Sequence, residues 1–114
     1  MDIKKLVASV ASVLTNADIH TIYSMVIIAK EEMRIKTDIP ITTVEEAVRQ
    51  LVEEGYLVEY EETSLDLSKK EKKYIATEKI RQLAEQLPPK ILQLTKMKYI
   101  TPSFYYLLNY TQRK

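Results

Sequence analysis

The 114-residue chain contains no cysteine, one glycine, one histidine and four prolines. Lack of cysteine rules out disulfides, a thiol nucleophile, thiolate zinc sites and cysteine-held iron–sulfur clusters. With His20 as the only imidazole, most metal and acid–base constellations go as well. The residue set therefore argues against an enzyme and against a bound metal or other cofactor. No run of about 18 apolar residues is present to span a bilayer, and there is no internal repeat or low-complexity segment. What remains is an ordinary globular composition, 46% hydrophobic and 29% charged, long enough for one domain with one core. Twelve Ile, thirteen Lys and twelve Glu beside two Asn echo the bias of heat-adapted proteins.

Lys4 and Lys5 ahead of the apolar stretch Leu6–Leu14 superficially match a secretory signal. However, Ile3, Leu6, Val7, Val10, Val13 and Leu14 recur at helical spacing with Ser and Lys between them, whereas a signal core is apolar all round. The expectation is an amphipathic first helix in a cytoplasmic protein with no membrane partner. A second helix is predicted to start at Asn16 or Asp18 and to run to about Met33. Its wide stripe (Ile19, Ile22, Tyr23, Val26, Ile27) marks it as central. Pro40 forbids regular helix over 34–41.

Thr42 with Glu45, and Thr43 with Glu46, each have capping-box spacing and predict the start of a third helix. Val44, Ala47, Val48, Leu51 and Val52 form its buried face, and Gly55 its left-handed terminator. Tyr56–Glu62 reads as a strand. A polar loop of about ten residues should then lead to a second strand at Lys73–Ala76, and Thr77 should cap a helix over 78–87. Pro88-Pro89 break that helix, a short one with Ile91, Leu92 and Met97 follows, and Thr101-Pro102 opens a last one.

Helix, extended connection, capped helix, glycine, hairpin, helix: this order resembles the winged helix-turn-helix superfamily. Thr43–Val58 look like that family's third helix running into the first wing strand, and Lys73–Lys79 like the second strand closing into the next helix. The resemblance covers roughly residues 18–87. It implies an α+β, mostly helical fold: a single domain over 1–114, with an amino-terminal helix (1–15), a winged-helix core with a two-stranded wing (16–87) and a carboxy-terminal helical extension (88–114). The short helix that usually precedes the third has no clear counterpart, because Pro40 occupies that stretch.

By the same resemblance the third helix enters the major groove of double-stranded DNA. Thr42, Thr43, Arg49 and Gln50 would then lie nearest the bases, and Lys69, Lys70, Lys72 and Lys73 would grip phosphate. Charge complicates this. Residues 31–68 hold eleven acids and three bases, a net of −8, while residues 69–114 hold eleven bases and three acids, a net of +8. The third helix exposes Glu45, Glu46, Glu53 and Glu54, a repulsive surface toward a duplex with one charge per about 1.7 Å. The wing lysines, in turn, have Glu59, Glu61 and Glu62 across the hairpin as an alternative to phosphate. The glutamate pairs, lacking a pocket, read as a solvated face rather than as a hydrolytic acid pair. In the carboxy-terminal segment, Lys90, Lys96, Lys98, Arg113 and Lys114 have no evident internal partner.

Leu6 and Val10 on the first helix, with Phe104, Tyr105, Leu107 and Leu108 on the last, make a candidate interface for a two-fold homodimer. Two functions are therefore expected to compete: a DNA-binding transcriptional regulator acting as a homodimer, and a protein-interaction module whose acidic third helix docks a basic protein partner.

Overall fold

A computed structural model describes residues 2–14, 16–63 and 65–94. Helix α1 (Ile3–Val13) is opened by Asp2, whose carboxylate accepts the Lys4 N–H at 2.8 Å. Helix α2 (Ile19–Glu32) is opened by Asp18, not Asn16, through the Thr21 N–H at 2.8 Å. Met25 to Ala29 are five consecutive buried residues, so α2 is enclosed round its middle turns and is the central helix its stripe implies. The chain leaves α2 through Arg34 in the left-handed region (φ 56°), with the Ile35 N–H returning to the Lys30 carbonyl at 3.0 Å. Residues 33–40 then run without helix. Ile39 is buried, and its carbonyl accepts the Tyr23 hydroxyl at 3.0 Å.

Helix α3 (Ile41–Glu53) begins earlier than its threonines suggest. Pro40 occupies the cap position, and no side chain caps the helix. Neither capping box forms. The Pro40 carbonyl takes the Thr43 and Val44 N–H groups at 3.0 and 3.4 Å, which leaves Thr42 and Thr43 inside the first turn, past the position from which a hydroxyl can cap. Proline already holds the φ that this entry needs. At the other end Gly55 has φ +84° with open space around it. The requirement for glycine is thus conformational, and the Tyr56 N–H closes the turn on the Leu51 carbonyl at 2.9 Å.

Strands β1 (Leu57–Thr63) and β2 (Lys70–Ala76) form an antiparallel hairpin in register from Leu57↔Ala76 to Thr63↔Lys70. The second strand starts three residues earlier than expected and the connection shrinks to 64–69, because Lys70, Glu71 and Lys72 find partners across the ladder. On the other side of β2, Ala17 exchanges two backbone hydrogen bonds with Tyr74, at 2.8 and 3.3 Å. The link between α1 and α2 is thereby tied to the hairpin. The helix expected over 78–87 is instead a five-residue 3-10 helix, Glu78–Gln82. Thr77 does not cap it: its hydroxyl donates to the Gly55 carbonyl at 2.7 Å. Helix α4 (Pro89–Leu94) closes the described chain.

The core is shared by α1, α2 and α3, with Leu57, Ile80, Leu87, Ile91 and Leu94 sealing its margins. Helix α1 packs on α3 above all, and also on α2, β2 and the 3-10 helix. It is therefore a full member of the core rather than an appended helix, and α2 is the helix that precedes α3. Pro40 displaces no helix after all. Leu6 and Val10, expected at a dimer interface, are 1% and 0% exposed within their own chain. Phe104, Tyr105, Leu107, Leu108, Met97 and the helix expected from Thr101 lie outside the described residues. Ser9, the one buried polar residue among the described residues, donates to the Lys5 carbonyl at 2.7 Å and accepts the Glu85 N–H at 2.8 Å. The architecture is mixed and mostly helical: three helices, then a two-stranded hairpin, an order compatible with a winged helix.

Candidate binding cleft

Helical periodicity places the site. With Val44, Ala47, Val48 and Leu51 turned into the core, Glu45, Arg49, Val52 and Glu53 form the adjoining face of α3. The turn at Gly55 folds the hairpin back beside that face. Glu59 and Tyr74 are paired across the ladder, and Lys72 lies two residues from Tyr74 on the same side. Asp18, Ile19 and His20 at the start of α2 close the third side, held there by the Ala17–Tyr74 bridge. The result is a cleft of about 570 Å³. Ile19, Val52 and Tyr74 supply its apolar surface, and five carboxylates (Asp18, Glu45, Glu53, Glu59 and Glu71) surround it, against Arg49 and Lys72.

The two bases are already engaged. Arg49 Nε donates to Glu46 at 3.0 Å, and the guanidinium also pairs with Glu46 through a second nitrogen and with Glu53 one turn on. These partners raise the pKa of Arg49 further above its usual value, and the Arg49 hydrogen bond lowers that of Glu46. Lys72 lies 3.8 Å from Glu59. Tyr74 is pushed up to about 12, first by burial and then by the hydrogen bond and charge of Glu59 and the charge of Glu45. Burial pushes Asp18 upward too. There the Thr21 hydrogen bonds, with the Lys73 and His20 charges, outweigh it and hold the carboxyl below its ordinary value.

Of the residues expected at nucleic acid, the fold brings only Arg49 and Lys72 into the cleft. Gln50 donates to Glu46 at 3.4 Å, and Lys73 sits 3.8 Å from Glu71. Thr42 is exposed in the first turn of α3, Thr43 half-buried. Lys69 and Lys70 lie at the far end of the hairpin, where Lys70 opposes Thr63. Lys79 does not extend the lysine cluster: its ammonium donates to the Glu54 carbonyl at 2.7 Å and stands 4.6 Å over the Tyr56 ring. Lys90 has an internal partner, Glu32, at 3.1 Å. Sequence reasoning missed Asp18, Ile19, His20 and Tyr74 as site residues, since nothing local announces that Ala17 reaches the hairpin.

Among the described residues no helix is long and apolar enough to cross a membrane, and no three His, Asp or Glu side chains are grouped to hold a metal. No protein-family model, no curated protein and no solved structure matches the chain.

Proposed function

We propose that the protein is an interaction module of winged-helix type that receives a cationic, partly apolar segment of a protein partner in the cleft between α3 and the hairpin. One observation carries this reading: the face that a winged helix would turn toward DNA is acidic, and the bases nearest α3, Arg49, Lys72 and Lys73, are paired. Residues 41–76 hold nine acids and five bases, a net of −4. Arg49, Lys72 and Lys73 each lie within ion-pair distance of a glutamate. A duplex would have to break these pairs and approach the remaining carboxylates. A lysine- or arginine-rich segment meets the same carboxylates favourably, and Ile19, Val52 and Tyr74 offer its apolar side chains a place to leave water.

The DNA-binding regulator remains the second reading, favoured by one feature: Lys70 is exposed at the end of the hairpin with threonine rather than an acid opposite. Fluorescence anisotropy of a labelled lysine- and arginine-rich peptide and of a labelled random-sequence duplex, at low salt, separates the two. The docking reading expects peptide binding that weakens with salt and is lost in a Glu53→Lys, Glu59→Lys chain, and no binding of the duplex. Duplex binding lost in Lys69→Glu, Lys70→Glu, without peptide binding, would overturn it.

A further inference from the structure

We infer that the cationic partner binds in extended form, as a further strand along the open edge of β1, and that its side chains alternate between basic and apolar. The inference rests on the docking reading and adds to it the partner's conformation and residue pattern.

The ladder decides which backbone groups are open. In an antiparallel pair, residues whose N–H and C=O point to the partner strand alternate with residues whose groups point away. Tyr74 gives both of its backbone groups to Ala17, at 2.8 and 3.3 Å, so they point away from β1. Glu59 is its partner in the register and therefore points its own groups away from β2. Counting in twos, Glu61 and Thr63 do the same. The Tyr56 carbonyl, three positions before Glu59, accepts the Thr77 N–H across the ladder at 3.0 Å, in step with this alternation. On β2 the outer side at Tyr74 is thus taken by Ala17. β1 has no such neighbour: among the described residues no backbone group bonds to the outward N–H and C=O of Glu59, Glu61 and Thr63, and all three residues are exposed. An edge of this kind pairs with an extended chain whose side chains suit it.

The side chains of β1 specify that chain. A strand laid beside it places alternate residues next to Glu59 and Glu61, on the face where Glu59 borders the cleft. The residues between them stand next to Val58 and Tyr60 on the other face. β1 holds three glutamates and no base. The nearest bases, Lys72 and Lys73, stand on β2 and leave the open side of β1 acidic, which favours lysine or arginine in the first set. Val58 and Ile75, paired across the ladder, are 52% and 42% exposed, which favours apolar residues in the second. The same charge disfavours a second copy of this chain. Two β1 edges running antiparallel oppose a glutamate to a glutamate in every register centred on Glu59, Tyr60 or Glu61, and like charges directly opposite repel.

Fluorescence anisotropy tests this on the unaltered chain, with a labelled peptide that alternates lysine and valine and is as long as β1. Two N-methylated forms keep its charge and side chains: one is methylated on the backbone nitrogens of the lysines, the other on those of the valines. In an added strand only alternate N–H groups face β1, those of the lysines in antiparallel pairing and those of the valines in parallel pairing. One form should therefore lose about tenfold or more in affinity, and the other should bind as the unmethylated peptide does. A peptide of the same composition with its lysines grouped should bind several-fold more weakly. Equal affinity of the two methylated forms overturns the added strand, and equal affinity of the grouped peptide overturns the alternating pattern; both leave the docking reading standing. No binding of any basic peptide at low salt fails the docking reading itself and this inference with it.

Two variants of Glu61 give a second readout. Its N–H makes no ladder bond, so Glu61→Pro keeps the hairpin's own hydrogen bonds while removing a donor from the open edge. Glu61→Gln removes the same charge and keeps the donor. Of the two folded chains, Glu61→Pro should bind the alternating peptide several-fold more weakly, and equal binding would overturn the pairing at this edge.

Discussion

Between Leu6 and Leu51 three helices bury their apolar side chains against one another, while in the hairpin from Leu57 to Ala76 only Leu57 is buried among the described residues. The helical part is held by area removed from water. The hairpin is held by its ladder, by charge pairs such as Lys72–Glu59, and by two ties to the core: the Ala17–Tyr74 bridge and the Thr77 hydroxyl on the Gly55 carbonyl. Helix α3 belongs to both regimes. Its inner face is Val44, Ala47, Val48 and Leu51, and its outer face is a chain of ion pairs. The lesson is one of tolerance. Side chains on the outer face and hairpin can change at little expense in stability, and that is where the acids of α3, β1 and β2 stand.

The contrast is sharpest for core truncation. Leu51→Ala, at a fully buried position, should cost about 2–5 kcal/mol, read from the midpoint of chemical denaturation. Val58→Ala, on a half-exposed residue of β1, should stay within about 0.5 kcal/mol. Comparable losses at the two sites would mean that the hairpin is part of the core. Next comes the junction between the regions: Gly55→Ala forces a Cβ into the left-handed conformation and should cost about 1–2 kcal/mol. Because the turn also aims β1, loss of peptide binding beyond what the loss of stability explains would show that Gly55 positions the cleft.

A pH test follows from Asp18. Its folded pKa is below the ordinary value, so the stability it contributes is present above about pH 4 and is lost as pH falls through the lowered folded value. Asp18→Asn, which preserves a capping side chain, should flatten the acid limb of stability against pH. An unchanged limb would assign acid sensitivity to other carboxylates. The smallest effect belongs to the hairpin alone. Glu62 faces Glu71 across the ladder, and Glu62→Lys turns that repulsion into a pair, with an expected gain of about 0.2–1 kcal/mol in thermal or chemical unfolding.

Much of the architecture was legible because it depends on near neighbours. Asp18, Gly55 and the 3.6-residue spacing of α2 and α3 act within a few residues of themselves, and they appear where expected. The failures were of two kinds. At Thr42 and Thr43 a motif was satisfied in spacing, yet Pro40 already held the cap position, so a conformational preference overrode a hydrogen-bond pattern. The second was the helix expected over 78–87, where apolar spacing at Ile80, Leu83, Ala84 and Leu87 was legible but the element is a 3-10 helix over Glu78–Gln82 only. The cleft was half legible. Glu45, Glu53 and Glu59 were seen as exposed acids, but seen separately.

By itself the sequence determined that α1, α2 and α3 are helices followed by a hairpin, which of their faces are apolar, and that charge is segregated along the chain. Those are properties of residue type at fixed short spacing. Only the tertiary structure decided that α1 joins the core, that Ala17 docks on β2, and that acids from α2, α3 and both strands converge on one cleft around Tyr74. Such convergence joins residues as far apart in sequence as Asp18 and Tyr74, and is set by how packed elements cross, for which no local pattern carries a signal.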